Sequence, residues 1–198
     1  MATTIYLARH CSYQNPQEIM TFRLPGYALN NQGRERAQEI AEFFKKNSQT
    51  TKIYSSPLLR TRQTAQIIAQ SLNLRLLINS LLIEVESPFK GMREKDYYQN
   101  HLGDIYCQKE HLLGGGEPIE QISQRMMKFV QKVLKENPNE EIITISHGDP
   151  IMIYFLSLTG QSLENIDQRK DYIPMGGIIK LIFDENNKLE SFKRINLN

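Results

Sequence analysis

Three times along this 198-residue chain a short apolar or β-branched run ends abruptly in residues that carry chemistry. Thr4-Ile5-Tyr6-Leu7-Ala8 runs into Arg9-His10. Lys52-Ile53-Tyr54 runs into Ser55-Ser56-Pro57-Leu58-Leu59-Arg60, and Glu141–Ser146 into His147-Gly148. Runs of this length and composition read as buried strands of parallel type. In a parallel sheet their carboxyl ends lie along one edge, where open α/β sheets bind ligands. Arg9, His10, Arg60 and His147 are therefore expected to meet.

Helical periods fill the intervals. Asn30 or Asn31 can cap a helix carrying Ala37, Ile40, Ala41 and Phe44 on one face. Ser56-Pro57 reads as an N-cap followed by proline at the first helical position, with Leu58, Ala65, Ile68, Ala69 and Leu72 facing inward. Ile119, Ile122, Met126, Phe129, Val130 and Val133 mark a third helix. Asp149-Pro150 repeats the cap-then-proline signature before an apolar helix over Ile151–Leu158. Arg75–Ile78 reads as a short strand, and Ile178–Phe183 with Leu189–Ile195 as a terminal hairpin. The stretch from Glu84 to Gly116 has no clear period and reads as a long excursion over one face. The order predicts an α/β fold: a three-layer α/β/α sandwich with a mostly parallel central sheet, one domain over residues 1–198.

Composition narrows the function classes. A formal charge of +2, with no basic run, gives no footprint for nucleic acid or a membrane surface. Cys11 and Cys107 form no evident disulfide framework, and no stretch has the length of a membrane span, so a soluble, cytoplasmic protein is expected. Cys107 and His111 lie four apart without a second pair, which argues against a metal site. Gly114-Gly115-Gly116 follows no strand and precedes no Gly-Lys-Ser/Thr, so it is not read as a nucleotide loop.

The edge suits a phosphate. Helix N-termini after Ser56 and Asp149 offer unsatisfied N–H groups and the positive end of the dipole. Arg9 and Arg60 add planar donors matched to phosphoryl oxygens. Positive charge beside His10 is expected to keep its imidazole neutral, as a nucleophile must be.

The ordered set resembles the histidine phosphatase superfamily, also called the phosphoglycerate mutase-like family. It comprises Arg9-His10, Leu29-Asn30-Asn31-Gln32-Gly33, Ser55–Ala65, an acid at Glu84, Gly116-Glu117 and Ser146-His147-Gly148. The resemblance implies a phosphoglycerate mutase-like fold and a phosphomonoester hydrolase that needs no metal or other cofactor. It makes His10 the nucleophile of a phosphohistidine mechanism, with Arg9, Arg60 and His147 binding the phosphoryl oxygens. Glu84 becomes the general acid and base; it is favoured over Glu86 because it directly follows Leu81-Leu82-Ile83. Asn15 and Arg23 are candidate contacts from the substrate loop, and Asp149 is read as a cap rather than a catalyst. The expected partner is a small phosphorylated metabolite, with a homodimer left open.

The chain also departs from the family pattern. Cys11 stands where the family usually has glycine, either as small buried filler or as a thiol acidified by Arg9. Pro16 stands where many members have asparagine, and no tryptophan follows the acid. The competing readings are a phosphoglycerate mutase-type phosphotransferase, a protein phosphohistidine phosphatase and an inactive phosphate-binding homologue. The short span from Glu84 to His147 favours hydrolysis, because mutases use a longer insertion there to exclude water.

Overall fold

The computed structural model describes residues 2–100, 106, 108–164, 166, 169–195 and 197. Its centre is a six-stranded sheet in the order β3-β2-β4-β1-β5-β6, formed by β1 (Thr3–Arg9), β2 (Thr50–Ser55), β3 (Leu76–Ile78), β4 (Glu141–Ser146), β5 (Ile178–Phe183) and β6 (Leu189–Ile195). The β1–β4, β4–β2 and β2–β3 pairs are parallel; β5 runs antiparallel to β1 and to β6. The mostly parallel sheet agrees with the sequence.

Alternation along the central strands divides the core into two layers. Ile5 and Leu7 of β1 face a cluster built with α5 (Ile119–Glu136) and α6 (Gly148–Leu158). Tyr6 and Ala8 face the other, built with α1 (Asn31–Asn47) and α2 (Leu59–Ser71). This is the expected three-layer sandwich. Phe129 of α5 and Phe44 of α1 are fully buried on opposite faces. Removing a side chain of that size from water contributes about 2–3 kcal/mol. Among the described residues, no helix is long and apolar enough to cross a membrane.

Local chemistry explains the start of α1. Asn30 caps α1 by accepting from the Gly33 N–H at 2.8 Å. Gly33 is required there, since a Cβ would lie 1.9 Å from the Ser12 carbonyl oxygen.

Two proposed caps differ from expectation. Helix α2 begins at Leu59 with Leu58 at the cap, so Pro57 is not its first residue. The Ser56 hydroxyl instead lies 2.8 Å from His147 Nε2. Helix α6 begins at Gly148 with His147 at the cap, and Asp149 accepts hydrogen bonds from the Tyr106 and Tyr172 hydroxyls. Ser56 keeps only a long local bond, accepting from the Leu58 N–H at 3.4 Å, and Asp149 is held by its two tyrosine partners.

The excursion after Glu84 holds two helices the sequence did not predict, α3 (Glu94–Asn100) and α4 (Lys109–Leu113). Each is too short to display a hydrophobic period, and α3 buries only Tyr97 among its residues. Cys107 lies outside the described residues.

Candidate active site

Backbone pairing beyond the strand ends assembles the site. The His10 N–H donates to the Ser146 carbonyl at 3.0 Å, and the Ser56 N–H donates to the Ile145 carbonyl at 3.0 Å. The segments after β1, β2 and β4 are thereby fixed side by side at the carboxyl edge. His10 Nδ1 lies 2.9 Å from the Cys11 carbonyl oxygen. A carbonyl only accepts, so Nδ1 carries the proton and Nε2 keeps its lone pair.

Charged groups surround that lone pair. Arg60, only 1% exposed, donates from Nε to His10 Nε2 at 3.2 Å and from Nη2 to the Phe22 carbonyl at 2.7 Å. The His147 ring stands 5.2 Å from the His10 ring, centroid to centroid. Arg9 donates from Nη1 to the Ile173 carbonyl at 2.9 Å, and its guanidinium lies 5.2 Å over the Tyr172 ring. Glu84 Oε2 is 3.4 Å from His147 Nδ1 and 3.8 Å from Arg60 Nη2. Its other oxygen accepts from the Val85 N–H at 3.0 Å.

Burial is the main cause of the unusual protonation states. It pushes both imidazoles well below their ordinary range, with Arg60 adding to the effect in each case. The expected neutrality of His10 therefore stands, but neighbouring charge is its second cause and not its first. Burial also pushes the Glu84 carboxyl up to about 7, aided by the Asp149 charge and opposed by Arg60. A carboxyl poised there can give and take a proton near neutrality.

Two nitrogens at this edge, Arg9 Nε and His147 Nδ1, are buried with no hydrogen-bond partner among the described residues. Arg9 Nε is always a donor, and His147 Nδ1 is one in the tautomer in which Nε2 accepts from the Ser56 hydroxyl. Leaving a buried donor unpaired costs about 1–3 kcal/mol. Together with Arg60, these donors fit a ligand that brings acceptor oxygens and negative charge. Ligand atoms of His10, Glu84 and His147 lie within 4.8 Å of one another, close enough for a metal. However, a divalent cation there would face Arg60, which touches both His10 Nε2 and Glu84. The charge favours an anion.

The cleft beside these groups has a volume of about 360 Å³ and includes Arg9, His10, Arg60 and Glu84 in its wall. Asn15 and Arg23 do not line it. The Asn15 amide bonds to the Ile19 carbonyl at 2.9 Å and to Glu94 at 3.1 Å, bracing the loop. Arg23 donates to the Glu84 carbonyl oxygen at 2.6 Å and to Glu117 at 2.7 Å, so it braces the irregular segment bearing the acid. Glu86 pairs with Lys90 at 2.7 Å, away from the cleft.

Sequence reasoning missed three residues at the site: Ser56 against His147, Tyr172 beneath Arg9, and Asp149 bridging two tyrosines. Gly148 held a signal for Tyr172, because a Cβ there would lie 2.1 Å from the tyrosine hydroxyl. That close approach is unreadable without knowing which segment returns.

Cys11 corrects one reading. Its side chain is fully buried, and burial pushes the thiol up to about 12. It fills space in the α1–α2 layer and is not an acidified thiol.

The histidine phosphatase superfamily (branch 1) family model matches residues 5–196. An uncharacterized protein of Mycobacterium tuberculosis is 28% identical over 191 residues, 92% of this chain and 91% of its own length. Phosphoserine phosphatase 1 of Hydrogenobacter thermophilus is 27% identical over 140 residues, covering 68% of this chain and 66% of that protein. A solved mutant of phosphoserine phosphatase from Entamoeba histolytica, in complex with phosphoserine, superposes with a TM-score of 0.76 at 26% identity over 96% of both chains.

Proposed function

The chain belongs to branch 1 of the histidine phosphatase superfamily, and we propose that it hydrolyses small phosphomonoesters through a phosphohistidine formed at Nε2 of His10. The observation that carries this reading is the pair of buried, unpartnered nitrogens on Arg9 and His147 beside a histidine whose unprotonated nitrogen is set by the Cys11 carbonyl. The phosphoserine held by the Entamoeba relative supports a small phosphorylated metabolite as substrate.

The chemistry proceeds in two transfers. Nε2 attacks phosphorus and the bond to the ester oxygen breaks. Glu84, protonated up to about pH 7, gives its proton to the departing alkoxide. Arg9, Arg60 and His147 take the phosphoryl oxygens, and positioning with charge stabilisation supplies most of the acceleration. Glu84, now a carboxylate, takes a proton from water as that water attacks phosphorus. The nitrogen–phosphorus bond breaks, orthophosphate leaves and His10 is restored.

The test is turnover of p-nitrophenyl phosphate with excess EDTA. The expected result is hydrolysis at a rate unchanged by the chelator. Turnover that appears only when a divalent metal is restored contradicts the reading, as does the absence of turnover with any simple phosphomonoester.

A further inference from the structure

Beyond the phosphate-binding groups, the cleft wall changes character. It is further lined by Met20, Phe22, Tyr97, Tyr98 and Met175, with the half-buried Glu94 among them; Phe22 and Tyr97 are buried in the wall. Tyr98 and Met175 remain 46% and 41% exposed, so the apolar surface reaches the mouth. Glu94 opens α3 and is oriented by the Asn15 amide at 3.1 Å.

Cations are confined to the inner end. Every one of the 24 lysines and arginines lies among the described residues, and only Arg9 and Arg60 line the cleft. Both are spent on the inner end, Arg60 on His10 and the Phe22 carbonyl, Arg9 on the Ile173 carbonyl and the Tyr172 ring. A leaving group with a carboxylate or a second phosphate would meet aromatic faces and Glu94, with no cation to receive it. Aromatic faces are the negative side of the ring quadrupole and attract cations, as a carboxylate does.

We infer that the leaving group of the natural substrate is a cationic amino alcohol, its ammonium group held at the mouth between the Tyr98 ring and Glu94, four residues apart on α3. The inference rests on the phosphatase reading and names the substrate class of that same site. The ligands in two solved relatives both carry a carboxylate, phosphoserine with an ammonium group beside it and 3-phosphoglyceric acid without one; the inference keeps the ammonium and drops the carboxylate.

The test compares kcat/KM for phosphocholine, its uncharged carbon isostere neohexyl phosphate, and 3-phosphoglycerate. The first two differ only in charge, and their ratio is measured within one enzyme, so it does not depend on how much protein is folded. The expected result is phosphocholine above neohexyl phosphate by about tenfold, the combined scale of an exposed ion pair and a cation–ring contact, with 3-phosphoglycerate poorest. In Glu94→Gln the phosphocholine-to-neohexyl ratio falls by about threefold or more. Equal or better turnover of neohexyl phosphate overturns the inference, as does a preference for 3-phosphoglycerate or a ratio that Glu94→Gln leaves unchanged. If p-nitrophenyl phosphate is hydrolysed while the ratio is inverted, only this inference fails. If no ester is hydrolysed, the phosphatase reading fails with it.

Discussion

His10→Ala lowers kcat for p-nitrophenyl phosphate by about 10⁴-fold or more, because His10 is the one histidine among the described residues that line the cleft. The residual rate reflects the cations alone, which still bind and polarise the ester. Arg9 and His147 keep their positions through the Ile173 carbonyl and the Ser56 hydroxyl, neither of which involves His10. Inorganic phosphate is therefore expected to bind the variant with an affinity within about tenfold of the native protein. Retained phosphate binding, measured by calorimetry, separates loss of the nucleophile from collapse of the site. A variant keeping more than about a tenth of the native rate contradicts the role given to His10.

Glu84→Gln has the second largest effect, and its size depends on the leaving group. For alkyl phosphates, whose alkoxides need a proton, kcat/KM falls by about 10²–10⁴-fold. For p-nitrophenyl phosphate, whose leaving group departs as a stable anion, kcat/KM falls by about tenfold or less. The pH profile carries the same signature. Burial raises the Glu84 carboxyl to about 7, so the acid is present below that pH and is lost as pH rises through it. Native kcat/KM for an alkyl ester accordingly declines above about pH 7, and this limb disappears in Glu84→Gln. On the acid side, His10 and His147 are held neutral well below the ordinary histidine range, so neither causes a loss between pH 6 and 7. Equal losses on both esters, or an unchanged alkaline limb in the variant, contradict the assignment.

The parallel sheet and its functional edge were legible because strand endings and chemistry coincide in the sequence. β4, β5 and β6 match the expected spans residue for residue, since each is a short apolar or alternating run bounded by turn residues. His10, Arg60 and His147 each sit within two positions of an element boundary, so the topology alone places them together. The helix starts at Ser56 and Asp149 were misread for a physical reason: each side chain has a stronger partner across the fold than along the chain. Glu84, favoured over Glu86 because it directly follows Leu81-Leu82-Ile83, is the one that faces His147, while Glu86 pairs with Lys90. The outer cleft was the least legible part. Its members come from the loop after β1, from α3 and from the loop before β5. Glu94, Tyr97 and Tyr98 alone share a helical spacing, on a helix too short to show a hydrophobic period.

The most direct test of the mechanism is to look for the covalent intermediate. Glu84→Gln is mixed with p-nitrophenyl phosphate, quenched within milliseconds to seconds in alkaline denaturant, and mapped by peptide mass spectrometry. In this variant phosphoryl transfer to the enzyme remains fast while attack by water is slowed, so the intermediate accumulates. The account predicts one phosphoryl group per chain, carried on His10, alkali-stable and acid-labile. Steady release of p-nitrophenol with no phosphoryl group on the protein, or with the group on any other residue, would contradict it.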